Sequence, residues 1–189
     1  MQVVCFGDSN TYGFDPRSWF GSRYEPNCRW VDILSQETGW HIRNLGQNGR
    51  QIPSHIRDVP PCDLLILMLG TNDLLQGLSA REVCMRMEGF LTQFDHNQKI
   101  LLVAPPPMQS GEWVSDPALL RESQSLALLY QELVQKLQLG FADAGGWNIR
   151  LCFDGVHFTE SGHQTFAAVL LHHIKTNEEW LYADHYLSR

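Results

Sequence analysis

The sequence is short of positive charge. Fourteen Lys and Arg stand against 21 Asp and Glu, a formal net charge of −7. Binding a polyanion requires a positive field, so nucleic acid and anionic membrane surfaces are not expected partners. No apolar run approaches the ~20 residues of a membrane span. No basic segment precedes Val3-Val4-Cys5-Phe6 and no small-residue cleavage site follows it, so no secretory leader is expected. Cysteine is scarce and poorly spaced for cross-linking: Cys5, Cys28, Cys62, Cys84 and Cys152 are odd in number and form no C-x-x-C pair. That pattern argues against a disulfide framework and a Cys-based zinc site, and it predicts reduced thiols in a cytoplasmic protein. Repeats, low-complexity tracts and linkers are also missing. The 189 residues are therefore expected to form one domain, with about 177–189 as a C-terminal tail.

What is present is an alternation of short apolar runs with longer segments of helical period. Strands are expected at Val3–Phe6, Trp40–Leu45, Asp63–Leu69, Ile100–Ala104 and Gly140–Ala144. Six of the seven residues in Asp63–Leu69 are consecutive and apolar, as suits a central parallel strand covered on both faces. Helices are expected at Arg29–Glu37 with Gly39 beyond its end, from Ser79 through Phe94, at Pro117–Leu139, and from Thr159 onward. Strands alternating with helices predict an α/β fold with a parallel sheet wrapped on both sides. Ligands bind such a sheet beyond the carboxyl ends of its strands, where the irregular segments after the strands gather.

Four short polar blocks lie at strand ends or in a loop. Gly7-Asp8-Ser9-Asn10 follows the first strand, Asn44-Leu45-Gly46 ends the second, and Gly70-Thr71-Asn72-Asp73 follows the third. Asp154-Gly155-Val156-His157 precedes the last helix. Each block alone reads as a turn. In a tight loop, however, Asp and His three residues apart can face each other, leaving the far imidazole nitrogen for a nucleophile.

In this order, over Gly7 to His157, the blocks resemble the GDSL-type esterases, or SGNH hydrolases, whose name records the Ser, Gly, Asn and His. The resemblance implies that Ser9 is the nucleophile, His157 its general base and Asp154 the orienting carboxylate. It implies an oxyanion hole made of the N–H groups of Ser9 and Gly46 and the amide of Asn72. Gly49 is the alternative glycine; its later position favours Gly46. Asn10 stands where the family often has Leu. The expected fold is a flavodoxin-like three-layer sandwich with a roughly five-stranded parallel sheet. The expected function is serine-esterase hydrolysis of short acyl esters through an acyl-serine intermediate, without cofactor or metal. A long aromatic loop after the nucleophile is similar to that of the arylesterase-like branch.

Asn10, Tyr12, Phe14, Trp19, Met108, Trp113 and Val156 are expected to line a substrate pocket, the aromatic residues walling an acyl or aryl group. His163, His172 and His173 share the last helix, where adjacent residues diverge, so they make poor metal ligands. Two other readings have specific residues behind them. Asp8, Asn72, Asp73, Asp154 and His157 would supply hard ligands for a metal-dependent phosphoesterase. A non-catalytic binding module would keep the same fold and pocket. The tail, carrying Trp180, Leu181 and Tyr182, reads either as a cap on the core or as a contact with another copy in a homo-oligomer.

Overall fold

The computed structural model describes residues 1–18, 22–57 and 59–177. Trp19 and the aromatic residues of the expected tail lie outside them. The chain runs β1 (Gln2–Gly7), α1 (Ser9–Tyr12), α2 (Trp30–Thr38), β2 (His41–Gly46), β3 (Leu64–Met68), α3 (Thr71–Leu75), α4 (Ala80–Leu91), β4 (Ile100–Ala104), α5 (Pro117–Leu137), β5 (Gly140–Asp143) and α6 (Glu160–Thr176), with a 3₁₀ turn at Ala144–Gly146.

The strands form one parallel sheet in the order β2-β1-β3-β4-β5, the flavodoxin-like arrangement. Alternate strand residues feed opposite faces, as the two-residue period of a strand requires. Val4, Phe6, Leu65, Leu67 and Leu102 pack with Val83, Phe90, Leu126 and Tyr130 of α4 and α5. Val3, Cys5, Leu64, Ile66 and Val103 pack with Trp30, Leu34, Phe166 and Leu170 of α2 and α6. Every residue of β3 and β4 is buried, which is why their sequences are apolar without alternation.

The helix ends follow local chemistry. Ser79 and Glu82 close a capping box at the start of α4. Asp116 caps α5, with Pro117 at its first turn, and Gly39 ends α2 in the left-handed conformation. The boundaries expected from the sequence agree with these to within about three residues. Those expectations did not contain α1 and α3, which have four and five residues. Both stand directly beyond β1 and β3, neighbouring strands paired from Val3–Leu64 to Gly7–Met68. The sheet order reverses here, since β1 connects outward to β2 while β3 leads to β4 and β5. The open end of an α/β sheet is a ligand crevice at this point.

Candidate active site

Asp8 turns the chain out of β1. Its backbone is extended and its carboxylate accepts the Asn10 N–H at 3.0 Å, capping α1. Ser9 follows as the first residue of α1, and its hydroxyl lies 2.9 Å from His157 Nε2. His157 Nδ1 lies 2.7 Å from Asp154 Oδ2. The other Asp154 oxygen accepts the backbone N–H groups of Val156 at 2.9 Å and His157 at 3.0 Å. The fold thus joins Ser9, His157 and Asp154 into one relay. Burial raises the Asp154 pKa, but the His157 ring and these two N–H groups outweigh burial and hold the carboxyl below its ordinary value. A carboxylate therefore stands beside the imidazole.

The loop carrying Asp154 and His157 is fastened through main-chain groups to the loop after β4. Gln109 N–H donates to Gly155 O at 2.9 Å, Glu112 N–H to Phe153 O at 3.1 Å and Trp113 N–H to Asp154 O at 3.2 Å. Phe14 and Trp113 stand against the His157 ring, with centroid separations of 4.8 and 5.1 Å. Trp113 is 54% exposed, so it meets solvent on one side and the imidazole on the other.

The expected oxyanion donors divide. Ser9 N–H heads a helix whose first N–H groups lack intrahelical acceptors, and it makes no hydrogen bond among the described residues. Asn72 Nδ2 donates to Arg50 O at 3.1 Å, which uses one of its two N–H bonds. Gly46 differs from expectation. Its N–H donates to Asn44 Oδ1 at 2.8 Å, and a Cβ on it would sit 2.0 Å from Tyr12 N. This glycine lets α1 lie on β2, and its donor is spent there. Gly49 has φ +72°, open space around its Cα, and an N–H with no partner among the described residues.

Arg50 holds this turn. Its guanidinium lies 4.1 Å from the centre of the Phe6 ring and donates to the carbonyls of Gly7 and Leu45. Asp73, fully buried, accepts from Ile52 N–H and from Arg86, both at 3.0 Å, and ties the turn to α3. The sequence reading gave neither Arg50 nor this use of Asp73. A buried carboxylate next to Asn72 was the available signal, since such a group requires partners.

The expected pocket residues also divide. Phe14 and Trp113 face the relay. Tyr12 instead lies under the Arg23 guanidinium, 4.3 Å from its ring centre. Met108 belongs to the core, 4% exposed among Val114 and Val156, with its N–H bound to Ser123 Oγ. Asn10 and Val156 are buried and bonded to each other rather than turned toward a substrate. The hard-ligand set of the phosphoesterase reading is held in separate bonds, with Asp154 and His157 paired to each other. Asp8 caps a helix, Asp73 serves Ile52 and Arg86, and no group of three His, Cys, Asp or Glu among the described residues is arranged to hold a metal ion. His163 is packed between Tyr24 and Phe158, and burial pushes it down to about 3, so it is neutral.

The model of the GDSL-like Lipase/Acylhydrolase family matches residues 5–165. Among solved structures, the aryl esterase of M. smegmatis is 25% identical, with a TM-score of 0.79 over 93% of this chain and 98% of that one. A carbohydrate acetylesterase from Sinorhizobium meliloti is also 25% identical, with a TM-score of 0.78 over the same shares of the two chains. No curated protein matches the chain by sequence. No helix among the described residues is long and apolar enough to cross a membrane.

Proposed function

Because this chain belongs to the GDSL-like lipase/acylhydrolase family and is a carboxylic ester hydrolase, we propose that it hydrolyses short acyl esters through an acyl-Ser9 intermediate. The observation that carries this reading is the relay from Ser9 Oγ to His157 Nε2 at 2.9 Å and from His157 Nδ1 to Asp154 at 2.7 Å.

The chemistry follows from that geometry. A serine hydroxyl is a weak nucleophile until a base takes its proton. His157 Nε2 accepts the proton as Ser9 Oγ bonds to the ester carbonyl carbon, and the carbonyl π electrons move onto oxygen. Asp154 stabilises the resulting imidazolium and holds its orientation. Ser9 N–H, Gly49 N–H and the second N–H of Asn72 receive the oxyanion. When the tetrahedral centre collapses, the alkoxide leaves with the proton from His157. Water then repeats the sequence on the acyl-enzyme, releasing the carboxylic acid and restoring Ser9. Gly49 replaces Gly46 in this account because its N–H is unspent.

The substrate reading rests on Phe14 and Trp113 beside His157. Two rings at the nucleophile favour a short acyl group and an aromatic or cyclic alcohol. The aryl esterase and carbohydrate acetylesterase named above are in keeping with it.

The test is Ser9→Ala assayed on nitrophenyl acetate and acetylated sugars, beside fluorophosphonate labelling of the parent. Turnover should fall by about 10³-fold or more, and label should be lost with the hydroxyl. Near-parental turnover in Ser9→Ala would refute the assignment.

A further inference from the structure

The nucleophile and its base lie 148 residues apart in the chain. Their segments, 7–13 and 152–158, share few hydrogen bonds. Among the described residues these are the Ser9–His157 bond itself and two made by the side chain of Asn10. Asn10 Nδ2 donates to Val156 O at 3.1 Å, and Asn10 Oδ1 accepts Phe158 N–H at 2.9 Å. The carboxamide therefore grips the main chain on both sides of His157. It uses the two groups that a residue of a neighbouring parallel strand would use, the carbonyl before the paired residue and the N–H after it. Asn10 is buried at 4% exposure, and its own backbone is fixed at both ends. Its N–H goes to the Asp8 carboxylate at 3.0 Å, and its carbonyl accepts Trp30 Nε1–H at 2.9 Å.

We infer that Asn10 is a positioning residue that sets the Ser9–His157 separation. Resting on the serine-esterase reading, this assigns to Asn10 a task different from lining the pocket. The residue adjacent to the nucleophile holds the residues adjacent to the base, so any displacement of one carries the other with it. Backbone bonds from 109, 112 and 113 hold residues 153–155 to the rim. They fix the loop to its neighbour but not to Ser9. The carboxamide supplies that missing constraint. A misplacement of ~1 Å between reacting groups costs on the order of 10²-fold in rate.

Asn10→Leu keeps the branched heavy-atom shape, at a larger volume, and removes both bonds. It should lower kcat by about 10²-fold while KM moves less than about threefold, because the substrate pocket is untouched. Asn10→Asp supplies a second, distinct readout. As a carboxylate it still accepts from Phe158 N–H but turns an acceptor toward Val156 O; once protonated it regains a donor there. Its kcat relative to the parent should therefore rise as pH falls from 8 to 5.5. An added negative charge acting only through electrostatics on the imidazole would move the ratio the other way, and a merely structural side chain would leave it flat. Either of those two results overturns the inference, as does Asn10→Leu with kcat within threefold of the parent. If Asn10→Leu does not fold, the Asn10→Asp ratio decides alone. Ser9→Ala is assayed in parallel. A fully active Ser9→Ala means the serine-esterase reading has failed. An inactive Ser9→Ala with an unaffected Asn10→Leu means that only the clamp has.

Discussion

Asp8 is 2% exposed and sits between β1 and α1, the helix that begins at Ser9. Burial pushes its carboxyl up to about 6, against the opposing pull of the Asn10 N–H and the charges of His157 and Arg50. An unfolded aspartate titrates near 3.9. The folded state therefore binds this proton more tightly than the unfolded one, and the contribution of Asp8 to stability is fully present below about pH 4. It is lost as pH rises through about 6, because the unfolded chain gives up the proton first. The displacement of about two units corresponds to about 3 kcal/mol at neutral pH and above, at 1.36 kcal/mol per unit. Part of that, on the order of 1 kcal/mol, is lost between pH 5 and pH 8. Asp8→Asn keeps the oxygen that caps α1 and removes the ionisation. Comparing variant with parent cancels the titrating groups that do not interact with Asp8. The variant's advantage in thermal or urea unfolding should be larger at pH 8 than at pH 5 by on the order of 1 kcal/mol, or a few degrees in Tm for a chain of this size. An advantage that is the same at both pH values would mean that Asp8 is ionised throughout and that the reasoning is wrong.

Gly46→Ala should lower Tm through overpacking worth about 1–3 kcal/mol, because its Cβ would fall 2.0 Å from Tyr12 N; an unchanged melting curve would show that α1 moves freely over β2. Asn72→Ala should reduce kcat by about 10²-fold with little change in KM, and an effect confined to stability would leave Asn72 a turn residue. Efficiency in the parent should favour acetyl to butyryl esters over octanoyl, since a closed pocket penalises carbons that do not fit. Trp113→Ala should flatten that preference with little loss of Tm, as its ring is 54% exposed; a steady climb through C10 in the parent would mean an open groove.

The sheet was legible in the sequence because burial on both faces leaves no polar position in β3 or β4, so the run itself marks the strand. The cap chemistry of Ser79, Asp116 and Gly39 is equally local. What escaped was of two kinds. Helices of four and five residues are too short to show a period, and α1 and α3 are built from the same polar residues that suggest turns. The rest depends on partners distant in sequence. Asn10 next to a nucleophile gives no hint that its amide serves residues 156 and 158, nor Arg50 that it stacks on Phe6. Position after the strand favours Gly46 over Gly49. The Asn44 side chain, closing on one N–H and leaving the other, separates them. Met108, after a strand and three prolines, suggests a rim residue in the sequence, while its backbone turns inward to Ser123 and its side chain joins the core.

The junction between the loop after β4 and the loop bearing Asp154 and His157 is made of peptide groups. The side chains of Gln109, Glu112, Trp113 and Phe153 take no part in those bonds. Only Gly111 and Gly155 are constrained by it, since a Cβ on either would strike the opposing backbone at 2.5 Å or less. On the serine-esterase reading proposed above, side chains on this rim can therefore be exchanged one at a time while the Ser9–His157–Asp154 hydrogen bonds keep their register, so preference for one ester over another can change without loss of hydrolysis.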